Sequence, residues 1–181
     1  NNGTGFIPIA TGSSLSGVMI GLGHTISELT INGNSNREIG LFAKLSSTAM
    51  VSHLGLTDLK VNATTNTSYI GGITGQNDGT IDQSYVTGRI NYSGSIDASI
   101  GGLVGTSTGT VRDSYATVNL SGGTNAKRIG GLIGEQSPTG ILLSSYSSSN
   151  ITTAAYTISS DGGGGGLVGY SAGTIRDSYA S

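Results

Sequence analysis

Two passages of this chain are near copies of each other: IGGLVGTSTGTVRDSYAT from Ile100 to Thr117, and GGLVGYSAGTIRDSYAS from Gly165 to Ser181. Weaker copies extend the series. The glycine-rich block reads GLFAK from Gly40, GGITG from Gly71, GGLVG from Gly101, GGLIG from Gly130 and GGLVG from Gly165. Its central residues Leu41, Ile73, Leu103, Leu132 and Leu167 are separated by 32, 30, 29 and 35 positions. A second block follows each one: MVSHLGL from Met50, GTIDQSYVT from Gly79, GTVRDSYAT from Gly109, TGILLSSYSS from Thr139 and GTIRDSYAS from Gly173. Similarity at a fixed period of this length is the mark of a stacked repeat architecture and outranks any local reading.

The residues inside each unit decide what is stacked. Gly, Ser, Thr and Asn dominate, and no window of a dozen residues shows a 3.6-residue period, so helix is disfavoured. Short β-branched runs bounded by Gly, Ser and Asn read as strands. In Tyr115 to Leu120 the apolar Ala116, Val118 and Leu120 alternate with polar residues, as a half-buried strand requires. Two or three short strands per unit are expected. The glycine pairs suit turns with positive φ, or places where backbones come close. Such a unit cannot bury its own apolar face, so each turn lies on the one before it and like residues stack on like. The expected fold is all-β: a parallel β-solenoid, drawn as a right-handed β-helix of five or six coils. A β-propeller ranks second, because its blades are longer and these units are too few to close a ring. Residues 1–38 are read as an N-terminal cap or first coils and residues 39–181 as the repeat coils. The pattern stops inside a repeat at Ser181, which suggests either continuation or a shortened chain.

Composition narrows the function. Only 10% of the 181 residues are charged and the net charge is −2, so no basic surface points to nucleic acid. The chain has 32 Gly without a strict Gly-X-Y period, which excludes collagen. It has no Cys, which removes disulfides, thiolate chemistry and Cys-ligated zinc. No apolar run reaches the roughly 20 residues a membrane helix needs.

The GGLVG–GTI–SYA pattern resembles the GLUG repeats of large bacterial surface proteins, among them filamentous-haemagglutinin-like adhesins and the non-catalytic parts of secreted immunoglobulin A1 peptidases. The stretch GLGHTISELTI (Gly21 to Ile31) with Ile39 to Val61 is similar to the segment preceding such repeats. Three places depart from the family pattern: Ile20, where Asp is frequent, Ala43-Lys44, where Gly is usual, and the Gly162 to Gly166 run. The resemblance implies a β-helical or β-roll fold on a secreted or cell-surface bacterial protein. It carries over no catalytic residues.

The most conspicuous candidate site is a tyrosine series, Tyr85, Tyr115, Tyr146 and Tyr179, one per unit. Stacked coils turn it into an aromatic ladder. Alternation from Ala116 places the rings outside. Counting by twos from Val111 places them inside, unless a corner near Arg112-Asp113 resets the parity. An outward ladder could bind sugar rings or a partner chain, or it could serve only to stabilise the stack. Arg112-Asp113 and Arg176-Asp177 recur at one position, but the equivalents Asp82-Gln83, Leu143-Ser144 and Ser52-His53 bring no facing carboxylates together, as a glycosidase needs. They are read as solvated corner residues. His24 and His53 lie 29 positions apart, close to one coil, and are read as surface or turn residues rather than metal ligands. Asp161 to Gly166 lacks the Lys-Ser/Thr of a phosphate loop and reads as a flexible loop. Asn-x-Ser/Thr sequons begin at Asn2, Asn62, Asn66, Asn91, Asn119 and Asn150 and show only that glycan attachment is permitted. An ice-binding face is a weak idea without a regular Thr-x-Thr pattern.

The expected function is non-catalytic adhesion or structural display, with no enzyme activity, cofactor or metal. Its partners would be a glycan or protein of a host or neighbouring-cell surface, with self-association through coil ends also open and neither nucleic acid nor membrane insertion expected. Rival readings are an accessory module of a secreted peptidase, a subunit of a self-assembling extracellular filament and, last, a polysaccharide-active enzyme.

Overall fold

A computed structural model describes residues 5–33, 37–64, 67–154 and 162–181, and none of these is helical. All strand pairs within the sheets are parallel, and strands about one repeat apart lie side by side. The fold is therefore a β-solenoid of about five turns. The turn is laid out on four walls, with four strands rather than two or three in most turns. In the third described turn these are Ala98–Gly101, Val104–Ser107, Thr110–Arg112 and Tyr115–Gly122. Three are four residues or fewer, too short for a two-residue period to show in the sequence.

Residues before the first recognisable repeat belong to the same stack. Val18–Ile20 pairs with Met50–Ser52, and both Thr25–Ser27 and Thr30–Gly33 pair with Gly55–Ala63. Isolated bridges tie Phe6 to Ile31, Ile9 to Phe42 and Leu15 to Leu45.

Like residues do stack on like in the core. One wall buries the column Ile39, Ile70, Ile100 and Ile129, and another buries Val51, Ile81, Val111 and Leu142. A third column runs Ile31, Val61, Ile90 and Leu120 along the longest strands. At about 1.5–3 kcal/mol for each fully buried aliphatic side chain, these columns supply the main driving force.

The glycines of the GGLVG block serve closeness, not left-handed turns. Among the described glycines only Gly12, Gly23 and Gly88 have positive φ. At Gly101 a Cβ would lie 2.0 Å from the Val104 carbonyl oxygen and 2.7 Å from the Gly134 nitrogen of the next turn. At this corner between the first two walls the Gly101 position has no room for a side chain, while Leu103 points into the core. The run after Asp161 also differs from expectation. Asp161 itself lies outside the described residues, but Gly163–Gly165 is a strand paired with Arg128 to Gly130, not a flexible loop. The extra length of that repeat falls between Asn150–Thr153 and Gly163–Gly165.

Candidate functional site

Each tyrosine stands just after a corner built by the three residues before it. In the third turn Val111 is buried, Arg112 points out, and Asp113 takes a left-handed conformation with φ of 50°. His53, Gln83, Ser144 and Asp177 occupy the same position in the other turns, with φ between 45° and 53°. That single residue breaks the alternation. Ser114 after it is buried, and Tyr115 faces outward. Both parity counts are thus correct on their own side of the corner.

The buried serine closes the corner. Ser114 donates its hydroxyl to the Arg112 carbonyl at 2.7 Å and accepts the Ser84 N–H of the previous turn at 3.1 Å. Ser84, Ser145 and Ser178 repeat both bonds, at 2.7–2.8 Å to the carbonyl two residues back and 3.1–3.2 Å from the previous turn. This hydroxyl satisfies two backbone groups that a corner would otherwise leave unpaired.

On this frame the register places Tyr85 on Tyr115, Tyr115 on Tyr146 and Tyr146 on Tyr179. Ring centroids are 4.8, 4.9 and 5.4 Å apart, with planes 1°, 5° and 10° from parallel. The series ends on Gly55, where a Cβ would lie 2.5 Å from the Tyr85 ring. Tyr115 therefore has a ring against each face, and the inner ladder offers its surroundings ring edges and phenol hydroxyls. Burial pushes the Tyr115 phenol above its ordinary value, and the neighbouring Tyr146 and Tyr85 add to the shift.

The other candidates are dispersed. Arg112 grips Asp82 of the previous turn with two hydrogen bonds, at 3.0 and 3.1 Å, so this arginine is an inter-turn clamp rather than a purely solvated residue. Asp113 is exposed at the corner. The two histidines are out of step: Thr25 pairs with Gly55, which sets His24 beside Leu54, and the His53 carbonyl accepts the Gly23 N–H. Among the described residues no group of three His, Cys, Asp or Glu comes together. The sequons at Asn2 and Asn66 begin outside the described residues. Asn119 and Asn150 pair side chain to side chain at 3.1 Å, as do Asn32 and Asn62 at 3.0 Å.

Two features escape a reading of the repeat. Each is a bulge, one extra residue in one strand. One sits where Val86 pairs with Leu56 but Gly88 with Leu59. The other sits where Ala98 pairs with Ala126 but Ser99 with Arg128, leaving Lys127 as the extra residue. Their only trace in the sequence is the uneven spacing of the units.

Residues 66–91 and 97–121 match the family model described as the GLUG motif. Comparison with curated proteins and with solved structures gives no match. Each matched stretch runs through the four walls of one turn, from its first strand into its tyrosine strand. Two successive turns of this solenoid thus match the GLUG motif.

Proposed function

We propose that the chain is a non-catalytic display and adhesion module of a secreted or cell-surface bacterial protein. The observation that carries this reading is the outward ladder of Tyr85, Tyr115, Tyr146 and Tyr179, a rigid aromatic strip repeated at the pitch of the fold. Rigid aromatic area is what recognition surfaces use most, because little side-chain entropy is lost on contact. Stacking covers the ring faces, so contact is through edges and hydroxyls, with a glycan or protein strand lying along the solenoid axis. Its carboxylates support a structural role more than an acid–base one. Asp82 is held by Arg112 and Asp78 by Lys44, the latter at 3.2 Å. Burial opposes the charged form of Asp78. Hydrogen bonds from Gln76, Thr108 and Lys44 outweigh it and hold the carboxyl below its ordinary value.

The test is binding of the purified chain to immobilised glycans, to extracellular-matrix proteins and to itself. The comparison is a variant with Tyr85, Tyr115 and Tyr146 all changed to Phe, which keeps the stack and removes the hydroxyls. Saturable binding that the folded variant loses supports the reading. Equal binding by both proteins moves the site away from the ladder, and no binding to any surface leaves a spacer role.

A further inference from the structure

Among the described residues, a single bulge on the wall of Ala98–Gly101 and Ala126–Gly130 interrupts an otherwise regular surface. Bulges re-aim side chains, and this one adds Lys127 beside Arg128. A groove of about 170 Å³ lies at this place, crossing four successive turns. Arg37, Tyr69, Asp97, Ser99, Lys127 and Arg128 line it, with Ser68 among them. Three cations thus face a single lining carboxylate in a chain whose net charge is −2.

The cations are unequally engaged. Lys127 reaches Asp97 at 3.4 Å, and Asp97 is 63% exposed. Arg128 holds Glu135 through one nitrogen at 3.0 Å, and its buried Nε has no hydrogen-bond partner. Arg37 is in none of the ion pairs among the described residues and lies over the Tyr69 ring at 5.4 Å. Glu38, paired in register with Tyr69, and Glu135 flank the groove without lining it. The Arg37 guanidinium, free of ion pairs among the described residues, suits an oxyanion such as a carboxylate or sulfate, two oxygens of which it can grip through parallel hydrogen bonds.

We infer that this groove binds the anionic substituent of an acidic polysaccharide, a sugar carboxylate or sulfate held by Arg37 and Lys127. The volume argues for a substituent of a larger ligand, since sites for whole small molecules run to about 300–1,000 Å³. The Ser99 hydroxyl is already donated to Glu135 at 3.0 Å, so Ser68 and the phenol of Tyr69 are the neutral polar groups that argue for a sugar, whose own hydroxyls they match. The inference rests on the adhesive reading and adds to it a charged contact separate from the tyrosine ladder.

The experiment titrates the chain with polygalacturonate, dextran sulfate, uncharged dextran and poly-glutamate, following binding by calorimetry at two salt concentrations. Three proteins are compared: the natural sequence, the double variant Arg37→Gln with Lys127→Gln, and a control with Lys60→Gln and Arg89→Gln. Lys60 and Arg89 stack in register on another wall, so the control removes the same charge from a different place. The expected result is saturable binding to polygalacturonate or dextran sulfate. It weakens at least tenfold in the groove variant and less than threefold in the control. Whichever polymer binds tells a carboxylate site from a sulfate one. Equal loss in both variants, binding of dextran as strong as that of the charged polymers, or equal binding of poly-glutamate overturns the inference. So does an unchanged groove variant. If the groove variant binds normally while the tyrosine variant does not, the adhesive reading stands and only this site falls.

Discussion

At the scale of single residues, this protein divides two roles that glycine often combines. Gly101 and its equivalents are where backbones crowd, while the left-handed position of each turn is given to His53, Gln83, Asp113, Ser144 and Asp177. Asp and His tolerate that conformation better than Gln, because short polar side chains can bond locally. Gln83 is exposed, so changing it alters little else. Gln83→Asn should stabilise the fold by roughly 0.5–1 kcal/mol, and Gln83→Val should destabilise it by more. Chemical denaturation of both variants checks the order. A second strain point lies inside. Ser147 fills a core column that holds Leu56, Val86 and Ala116 in earlier turns, and its buried hydroxyl has no hydrogen-bond partner. An unpaired buried hydroxyl costs about 1–3 kcal/mol. Ser147→Ala should therefore raise the unfolding midpoint, and a loss of stability would show that the hydroxyl is bonded after all.

At the scale of elements, the tyrosine ladder and the serine ladder beneath it are two faces of the SY pair. The serine pins the corner, and the tyrosine covers it from outside. Each stacked aromatic pair contributes about 0.5–1.5 kcal/mol beyond area burial. Tyr115 has two partners, so Tyr115→Ala should cost roughly 1–3 kcal/mol from stacking alone, while Tyr115→Phe should cost little. Tyr115 of the ladder and Tyr92 outside it also give an alkaline signature. Burial raises the phenols of Tyr115 and Tyr92 above the ordinary 10.0. A raised folded value means the native state holds its proton more tightly than the unfolded chain does. That stability is complete below pH 10.0 and is lost as pH climbs through the raised values. Thermal midpoints should therefore fall above pH 10.0, and the fall should be shallower when Tyr115 and Tyr92 are both Phe. An identical slope in the Phe variant would place the alkaline loss in other groups. The ladder was legible in the sequence because one residue per unit is enough to show it. The direction of its rings was not, since that depends on the φ of Asp113. The four walls were not legible either, because strands such as Met50–Ser52 are too short to carry a period.

At the scale of the whole molecule, each turn touches chiefly its neighbours, so stability should approach a sum over turns and their interfaces. Removal of one complete turn at matching points then ought to leave a shorter, folded rod, but only where the turns newly brought together fit. Thr110 pairs with Ile141, so deleting residues 110–140 and joining Gly109 to Ile141 preserves the register. Tyr146 then comes to lie over Tyr85, Ser145 takes the place of Ser114 in the serine ladder, and no bulge is crossed on the tyrosine wall. Thr80 pairs with Thr110 in the same way, which makes deletion of residues 80–109 look equivalent from the repeat alone. It is not, because Gly88 lies in the removed stretch. Gly88 has a φ of 131°, and a Cβ there would lie 2.2 Å from the Leu59 carbonyl oxygen, at the bulge beside Asp58. Deletion of 80–109 sets Val118 in its place, since Gly88 and Val118 share a register position. The first shortened protein should unfold cooperatively, with a smaller denaturant dependence in proportion to its lost surface. The second should lose native structure at the tyrosine wall or aggregate. Circular dichroism and urea unfolding of the pair decide the matter. Equal stability of the two would mean that the bulge relaxes freely and that the turns are interchangeable.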